Sequence, residues 1–246
     1  MPPWQFVAER AHDGSSVRGG KRGRTFGLYG VLLWMALVVD VGARTIIRVG
    51  YFPNITHAQA VIGALGTREG NGWFEQRLGD SVELHWRPFN AGPTAVEALL
   101  QEELDLLYVG PVPALRAYAR VNAAEVRVLA GAAEGGVALV TRVGAGIGSV
   151  ADLRGKRLAT PQAGNTQDVA ARAFLRRSGL RVTTSPPEVF IMSTPNRELL
   201  TRFRTGTLDA AWTVEPWVSQ LELQAGARVF HEPKRGITTV LVGRAA

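Results

Sequence analysis

The stretch TPQAGNTQD, residues 160–168, lies between an apolar strand candidate at 157–159 and a helix predicted at 169–177. Small polar residues and a glycine where a strand turns into a helix leave backbone N–H groups free at the start of that helix. Such a junction is a favourable seat for an anionic or polar head group. In the alternative interpretation, Asn165 or Thr166 simply caps the helix and touches no ligand.

Upstream of this stretch, strand patterns alternate with helix patterns. Apolar or alternating runs predict strands, and runs of helical periodicity behind proline or capping residues predict helices. Thr56 is expected to be an N-cap whose capping box is completed by Gln59. Strands are predicted at 46–49, 82–86, 104–109, 126–130 and 137–141, with helices at 60–65, 95–101 and 114–120 and a short one near 73–78.

A second unit of the same kind surrounds the opening stretch. Its strands are predicted at 157–159, 188–192 and 208–212, its helices at 169–177, 196–204 and 218–224, and a last strand at 238–242. This alternation predicts an α/β fold with mainly parallel strands. Ligands bind outside the carboxyl ends of such strands. The loops 52–56, 90–94 and 110–113 each follow a predicted strand, so we expect them to converge on one edge.

Composition excludes several classes of function. The 246 residues contain no cysteine, which removes disulfides, thiolate nucleophiles and cysteine-based zinc sites. The net charge of +7 comes from scattered basic residues, with no stripe typical of nucleic-acid binding, and favours encounter with anions. The four histidines lack metal-ligand spacing and the serines lack a GxSxG context. The sequence therefore predicts no enzyme, no cofactor, no metal site and no nucleic-acid partner.

Residues 1–43 have the pattern of a secretory signal peptide. Arg18, Lys21, Arg22 and Arg24 form a basic region, the run 26–39 is apolar, and Val-Gly-Ala at 41–43 offers a cleavage site. Cleavage there would give a mature start at Arg44 and a periplasmic protein. The apolar run is shorter than the roughly 20 residues of a membrane span, although a retained anchor is the alternative.

Six segments carry a family resemblance: GYFPN (50–54), FNAGP (89–93), DLLYVGP (105–111), DLRGKR (152–157), GNTQD (164–168) and DAAWTVEPW (209–217). Together they resemble the extracytoplasmic solute-binding proteins of the nitrate/sulfonate/taurine group of ABC transporters, which includes thiamine-pyrimidine-precursor relatives. The resemblance runs from Ile46 to about Val242.

The resemblance implies a two-lobed, type II periplasmic-binding-protein fold. Residues 44–141 with a return strand in 233–246 would form lobe 1, and residues 142–232 would form lobe 2. A ligand would lie in the cleft and be trapped by hinge closure. The protein would act as a monomer that docks on an ABC permease. Family members continue beyond a strand like 238–242, so the chain is expected to be C-terminally truncated.

Donors that can face an oxyanion are the threonine hydroxyls and the N–H groups beside glycines in these loops. Phe52 and Trp212 are candidates to cover an apolar part of the ligand, with core packing as the alternative. The expected binding residues are Phe52, Asn54, Thr56, Asn90, Gly92, Thr94, Gly110, Pro111, Asn165, Thr166, Trp212 and Glu215.

Glu215 bears on the choice of ligand. A carboxylate in the cleft would repel a simple anion and favour a zwitterion such as an aminosulfonate, or a nitrogen heterocycle. Alternatively, Glu215 caps the helix that begins near Pro216. The sequence thus predicts a receptor for a small sulfonate, taurine or nitrate-like solute. The alternatives are a pyrimidine-precursor binding protein, a synthase of the same fold, and a membrane-tethered ligand sensor. The leader argues against the synthase, whose relatives are intracellular.

Overall fold

The described residues of the computed structural model are 43–120, 126–182, 185–234 and 236–244. The predicted leader, apart from Ala43, lies outside them. Within these ranges no helix is both long enough and apolar enough to cross a bilayer. The strands are β1 (Thr45–Tyr51), β2 (Val82–Pro88), β3 (Leu106–Val109), β4 (Val126–Glu134), β5 (Val137–Thr141), β6 (Arg157–Thr160), β7 (Phe190–Ser193), β8 (Ala210–Val214), β9 (Arg228–His231) and β10 (Ile237–Arg244).

Helices connect most of these strands. They are α1 (Ala58–Glu69), α2 (Glu75–Leu78), α3 (Gly92–Leu100), α4 (Pro111–Arg120), α5 (Thr166–Arg177), α6 (Leu199–Arg204) and α7 (Trp217–Ala225), with 3-10 turns at Ile55–His57, Val150–Leu153 and Asn196–Glu198. The expected capping box is wrong. A 3-10 turn precedes α1, no side chain caps that helix, and the Gln59 amide donates to the carbonyl of Ala132 at 2.7 Å.

The strands form two five-stranded sheets of the same topology. The first has the order β2-β1-β3-β10-β4 and the second the order β7-β6-β8-β5-β9. Strand β1 pairs in parallel with β2 and β3, and β6 pairs in parallel with β7 and β8. The next strand in each sheet is antiparallel and comes from a distant part of the chain: β10 pairs with β3, and β5 pairs with β8. Parallel strands joined by helices put their carboxyl ends, and the loops that follow them, at one edge of each sheet.

The boundary between the sheets differs from the expected lobe boundary. Strand β5 was expected in lobe 1, yet it pairs with β8 and β9 in the second sheet. The chain changes sheets between β4 and β5, where Gly135 and Gly136 adopt left-handed φ angles of 73° and 67° that glycine tolerates best. An apolar run such as 137–141 reveals a strand but not its partner. We call residues 43–134 with 237–244 the first half, and residues 137–231 the second half.

An arginine–aspartate clamp repeats in the two sheets. In the first, the Arg48 backbone N–H and Nε donate to Asp105 Oδ2 at 2.7 and 2.9 Å. In the second, the same atoms of Arg157 donate to Asp209 Oδ2 at 3.0 and 2.9 Å. Each aspartate immediately precedes the strand that pairs with the arginine's strand. The clamp therefore fixes the register at the edge of each sheet opposite the carboxyl ends of the parallel strands.

Candidate functional site

The loops after β1, β2, β3 and β6 meet at a cleft between the two halves. The free space within the cleft is about 30 Å³, room for roughly one water molecule. The lining comprises Phe52, Asn54, Thr56, His57, Asn90, Ala91, Gly92, Gly110, Pro113, Pro161, Asn165, Thr166, Gln167, Asn196 and Thr238. Eight of the expected binding residues are therefore brought together: Phe52, Asn54, Thr56, Asn90, Gly92, Gly110, Asn165 and Thr166.

Three helices begin at this cleft. Gly92 is the first residue of α3, Gly110 immediately precedes α4, and Thr166 is the first residue of α5. The first N–H groups of a helix have no partner within it, and the helix dipole adds partial positive charge there. In α4, Pro111 and Pro113 carry no N–H and the Val112 N–H donates to Thr166 Oγ1, so this helix contributes its dipole rather than free donors. The cleft can therefore receive negative charge without a charged side chain.

Asn165 caps α5, as the alternative interpretation of the opening stretch expects, and it also lines the cleft. Its Oδ1 accepts from the backbone N–H of Asp168 at 2.8 Å. Asp168 is buried and pairs with Arg172 at 3.0 Å, and its Oδ2 accepts from the N–H of Gly164 at 2.9 Å. These bonds hold the loop in the shape that presents Asn165 and Thr166.

Four expected residues do not line the cleft. The Thr94 hydroxyl donates to the Ala91 carbonyl at 2.9 Å, and Pro111 begins α4 behind Gly110. Trp212 is buried and packs on Phe174 with ring centroids 5.6 Å apart. Its packing alternative is the correct one, because alternate side chains of a strand point to opposite faces of the sheet.

Glu215 also has the capping role rather than the expected ligand role. Its carboxylate accepts from the N–H and hydroxyl of Ser219 at 3.1 and 2.9 Å, in the first turn of α7. Among the described residues, no aspartate, glutamate, lysine or arginine lines the cleft. The argument for an amine-bearing ligand therefore no longer holds, because Glu215 is not in the cleft to bind the amine.

The sequence interpretation missed His57, which is buried in the cleft wall at 3% exposure. Its ring lies 4.6 Å from that of Phe52, and its Nδ1 accepts from the Phe52 N–H at 3.3 Å. The ring proton therefore resides on Nε2, which makes the neutral ring a donor. Burial lowers the pKa of His57 to about 3. In the sequence, His57 is not spaced from other histidines as a metal ligand would be. Only its position next to Thr56, an expected binding residue, could have indicated that it lines the cleft.

Asn196 and Thr238 were also missed. Asn196 lies just beyond β7, so the carboxyl-end rule could have found it. Thr238 lies near the start of β10, which runs antiparallel to β3 and thus enters the sheet at the cleft edge. A rule that follows only parallel strands does not reach it. Its hydroxyl is buried without a hydrogen-bond partner.

Hydrogen bonds cross between the halves around the cleft. Arg197 Nη1 donates to Asn90 Oδ1 at 2.7 Å, and Trp217 Nε1 donates to Asn54 Oδ1 at 2.8 Å. The backbone N–H of Val112 donates to Thr166 Oγ1 at 3.4 Å. These contacts join the two halves across the cleft. The described residues contain no group of three or more histidine, aspartate or glutamate side chains able to hold a metal ion.

Acidification is expected to destabilise the fold through His57. Its folded-state pKa of about 3 lies below the unfolded value of 6.5, so only the unfolded chain gains this proton as the pH falls below 6.5. Between pH 7 and pH 5 this corresponds to about 2 kcal/mol of the free energy of unfolding, at 1.36 kcal/mol per pKa unit. Denaturant unfolding at the two pH values measures it. His57→Gln should flatten the dependence; a dependence as steep as that of the wild-type protein would contradict the assignment.

Comparison with known proteins gives a consistent result. The model of a family described as NMT1-like matches residues 42–232. A curated relative from Escherichia coli (strain K12), named for the binding of aliphatic sulfonates, is 32% identical over 160 residues. These residues are 64% of this chain and 48% of the relative. The chain therefore spans about half the length of the curated relative it matches.

Solved structures share the fold. The alkanesulfonate-binding protein SsuA from Xanthomonas axonopodis pv. citri, bound to MOPS, gives a TM-score of 0.65 at 24% identity, over 82% of this chain and 66% of that one. The periplasmic nitrate-binding protein NrtA from Synechocystis PCC 6803 gives 0.62 at 15% identity, over 82% and 56%. At these identities the likeness concerns the fold, and it confirms the expected α/β periplasmic-binding-protein architecture with two sheets.

Proposed function

This chain belongs to the NMT1-like family, and from that membership we propose that it is a solute-binding component of an ABC importer. Its solute would be a small sulfonate or a similar oxyanion, held in the cleft between the two halves. The observation that carries the proposal is the lining itself. Three helix N-termini and neutral polar side chains converge there, and no charged side chain of the described residues is among them.

The lining supports an anion better than a cation or an apolar solute. Side-chain amides, hydroxyls and the neutral His57 ring can all donate hydrogen bonds. Hydrogen bonds from such donors to a charged acceptor are stronger than bonds between neutral groups. Phe52, buried beside His57, offers the one aromatic surface in the described lining. The solute is therefore a compact oxyanion head with a short apolar part.

Capture by closure is the mechanism that the chain's connections favour. We propose that the two halves act as lobes that turn about the segment Gly135–Gly136 and the strand entry at Gly236. These two segments touch, since the Gly135 N–H donates to the Gly236 carbonyl at 3.1 Å. Adjacent glycines with left-handed φ angles absorb backbone rotation at little steric penalty. Closing would bring the start of α5 against Gly110 and exclude water from the head group.

Export through the leader at 1–43, action as a monomer and delivery to a membrane permease are the further parts of this proposal. They are supported by the secretory pattern of the leader and by relatives whose names describe periplasmic binding proteins. No catalytic role is proposed, because no nucleophile hydrogen-bonded to a base is found among the described lining residues.

Calorimetric titration against a panel of solutes tests the function. The panel holds ethanesulfonate, taurine, nitrate and a pyrimidine precursor. We expect ethanesulfonate to bind with one-to-one stoichiometry and, at a hundredfold excess over Kd, to stabilise the protein by about 2.7 kcal/mol. Taurine should gain nothing from its amine, because Glu215 is engaged with Ser219. Binding of the pyrimidine precursor alone would favour the alternative function and overturn this one.

A further inference from the structure

The asparagine side chains of the cleft are fixed in one orientation by the protein's own donors. Every one of the four asparagines in the described lining has its amide oxygen engaged. The pairs are Asn54 Oδ1 with Trp217 Nε1 (2.8 Å), Asn90 Oδ1 with Arg197 Nη1 (2.7 Å), Asn165 Oδ1 with the Asp168 N–H (2.8 Å) and Asn196 Oδ1 with Thr213 Oγ1 (2.9 Å).

This engagement decides what each amide can offer a ligand. An asparagine amide presents an acceptor on one side and two donors on the other. Once a protein donor holds the oxygen, rotating the amide would break that bond and bring two donors face to face. The NH₂ groups are therefore the sides left for other partners. Two pairs, those of Asn54 and Asn90, are made by side chains that reach across from the second half, so closure itself completes the orientation.

Two further lining residues also have an acceptor atom engaged by a donor of the protein, which leaves each with a proton to donate. His57 Nδ1 is occupied by the Phe52 N–H, which leaves Nε2–H as its free polar group. Thr166 Oγ1 already accepts from the Val112 N–H, so its own proton remains to be donated. Among the side chains of the described lining, acceptor capacity is left mainly to the hydroxyls of Thr56 and Thr238 and to the Gln167 amide, each of which can also donate.

We infer that the cleft selects a head group whose oxygens carry no proton, an alkanesulfonate in preference to the singly ionised form of an alkyl phosphate. This inference rests on the proposed oxyanion-binding function and adds the class of head group to it. A sulfonate offers three proton-free oxygens to the fixed donors. A singly ionised phosphate ester has the same net charge but carries one P–O–H group. The hydrogen of that group would point towards hydrogen-bond donors of the lining. One of the fixed donors would then face a protonated oxygen instead of a free acceptor.

Trp217, Arg197 and Thr213 are thus positioning residues for specificity. None of the three lines the cleft, and each acts through the asparagine whose oxygen it holds. Thr213 is the clearest case because it is fully buried in β8, its hydroxyl donates to Asn196, and valine matches its shape. Without that hydroxyl, the Asn196 amide can rotate and present its oxygen to the head group.

The test compares ethanesulfonate with ethyl phosphate at pH 5, where each carries close to one negative charge, since the second pKa of a phosphate monoester is about 6. Calorimetry of the wild-type protein should give a Kd for ethanesulfonate at least about tenfold lower, the effect of one unpartnered polar group in a desolvated site. Equal Kd values for the two would overturn the inference and leave the oxyanion-binding function standing. No binding of ethanesulfonate would overturn both.

Variants separate positioning from general stability. Thr213→Val should reduce the preference for ethanesulfonate, measured as the Kd of ethyl phosphate divided by the Kd of ethanesulfonate, severalfold. If Thr213→Val does not fold, Trp217→Phe, which removes the donor to Asn54, should reduce the same ratio. The matched control is Thr141→Val, at a buried threonine of β5 outside the cleft lining. A merely structural role would lower affinity for both solutes alike and keep their ratio. An unchanged ratio in both Thr213→Val and Trp217→Phe would contradict the assignment.

Discussion

Gly110→Ala is expected to weaken ethanesulfonate binding by about ten- to a hundredfold while the protein remains folded. A Cβ atom at Gly110 would overlap Thr166 Oγ1 and lie 3.2 Å from Thr166 Cβ. Thr166 belongs to the second half, so the overlap arises only when the two halves meet. Overpacking of this kind costs typically 1–3 kcal/mol, and here it opposes closure rather than folding. Calorimetric Kd values together with the denaturation midpoint separate the two effects.

Gly131→Ala is the matched control for this change. Gly131 lies in β4 of the same sheet, and an added Cβ there would have no atom within 4 Å. Its affinity for ethanesulfonate should equal that of the wild-type protein. If Gly110→Ala bound as tightly as Gly131→Ala, the contact between Gly110 and Thr166 would not belong to the ligand-bound state, and the proposed closure would be wrong.

Asp209→Ala is expected to lower the free energy of unfolding by about 3 kcal/mol. The Asp209 carboxylate is only 9% exposed and accepts from the backbone and side chain of Arg157 and from Arg142 Nη2 at 3.2 Å. Removing it leaves the backbone N–H of Arg157 without its acceptor, and the guanidinium groups of Arg157 and Arg142 keep only backbone carbonyls as acceptors. Breaking a buried pair from one side is the costly case, and the part exposure of Arg157 places the value at the low end of the 3–5 kcal/mol range.

The corresponding clamp in the first sheet supplies the control. Asp105 and Arg48 make the same bonds, but their side chains are 36% and 40% exposed. Water can replace much of what Asp105→Ala removes, so we expect a loss of about 1–2 kcal/mol. Urea unfolding of both variants measures the difference. Equal losses, or a larger loss for Asp105→Ala, would show that burial does not set the strength of these clamps.

Both clamps are expected to weaken in acid, because hydrogen bonds from the arginines lower the pKa of Asp105 and of Asp209. Burial acts to raise the pKa of Asp209, but hydrogen bonds from Arg157 and Arg142 outweigh it and lower the value to about 2. The stabilisation is therefore complete above the unfolded value of 3.8 and is lost as the pH falls from there towards 2. The His57 contribution changes between pH 6.5 and about 3, so above pH 4 it can be followed without that of Asp209.

Much of the fold could be predicted because it rests on local patterns. The strands at 46–49, 82–86 and 137–141 and the helix at 169–177 show their periodicity within a few residues, and the structure has an element at each place. The cleft followed from a topological rule, since loops at the carboxyl ends of parallel strands must share an edge. That rule located Asn90, Gly110 and Asn165 without knowledge of any contact.

The failures come from long-range partners, which a local pattern does not contain. Strand β5 looks like any buried strand, and only its pairing with β8 and β9 assigns it to the second sheet. The Trp212 ring packs in the core beside β8, and the Glu215 carboxylate accepts a hydrogen bond from Ser219 in the first turn of α7. His57 became relevant only when the chain brought its ring against Phe52 in the cleft wall.

Titration of ethanesulfonate into the wild-type protein tests the central claim most directly, because every other statement about the cleft depends on it. The account predicts saturable one-to-one binding that Gly110→Ala weakens and Gly131→Ala preserves. Absence of binding, or binding that Gly110→Ala leaves unchanged, would contradict the claim that the helix N-termini at Gly92, Gly110 and Thr166 close around an oxyanion.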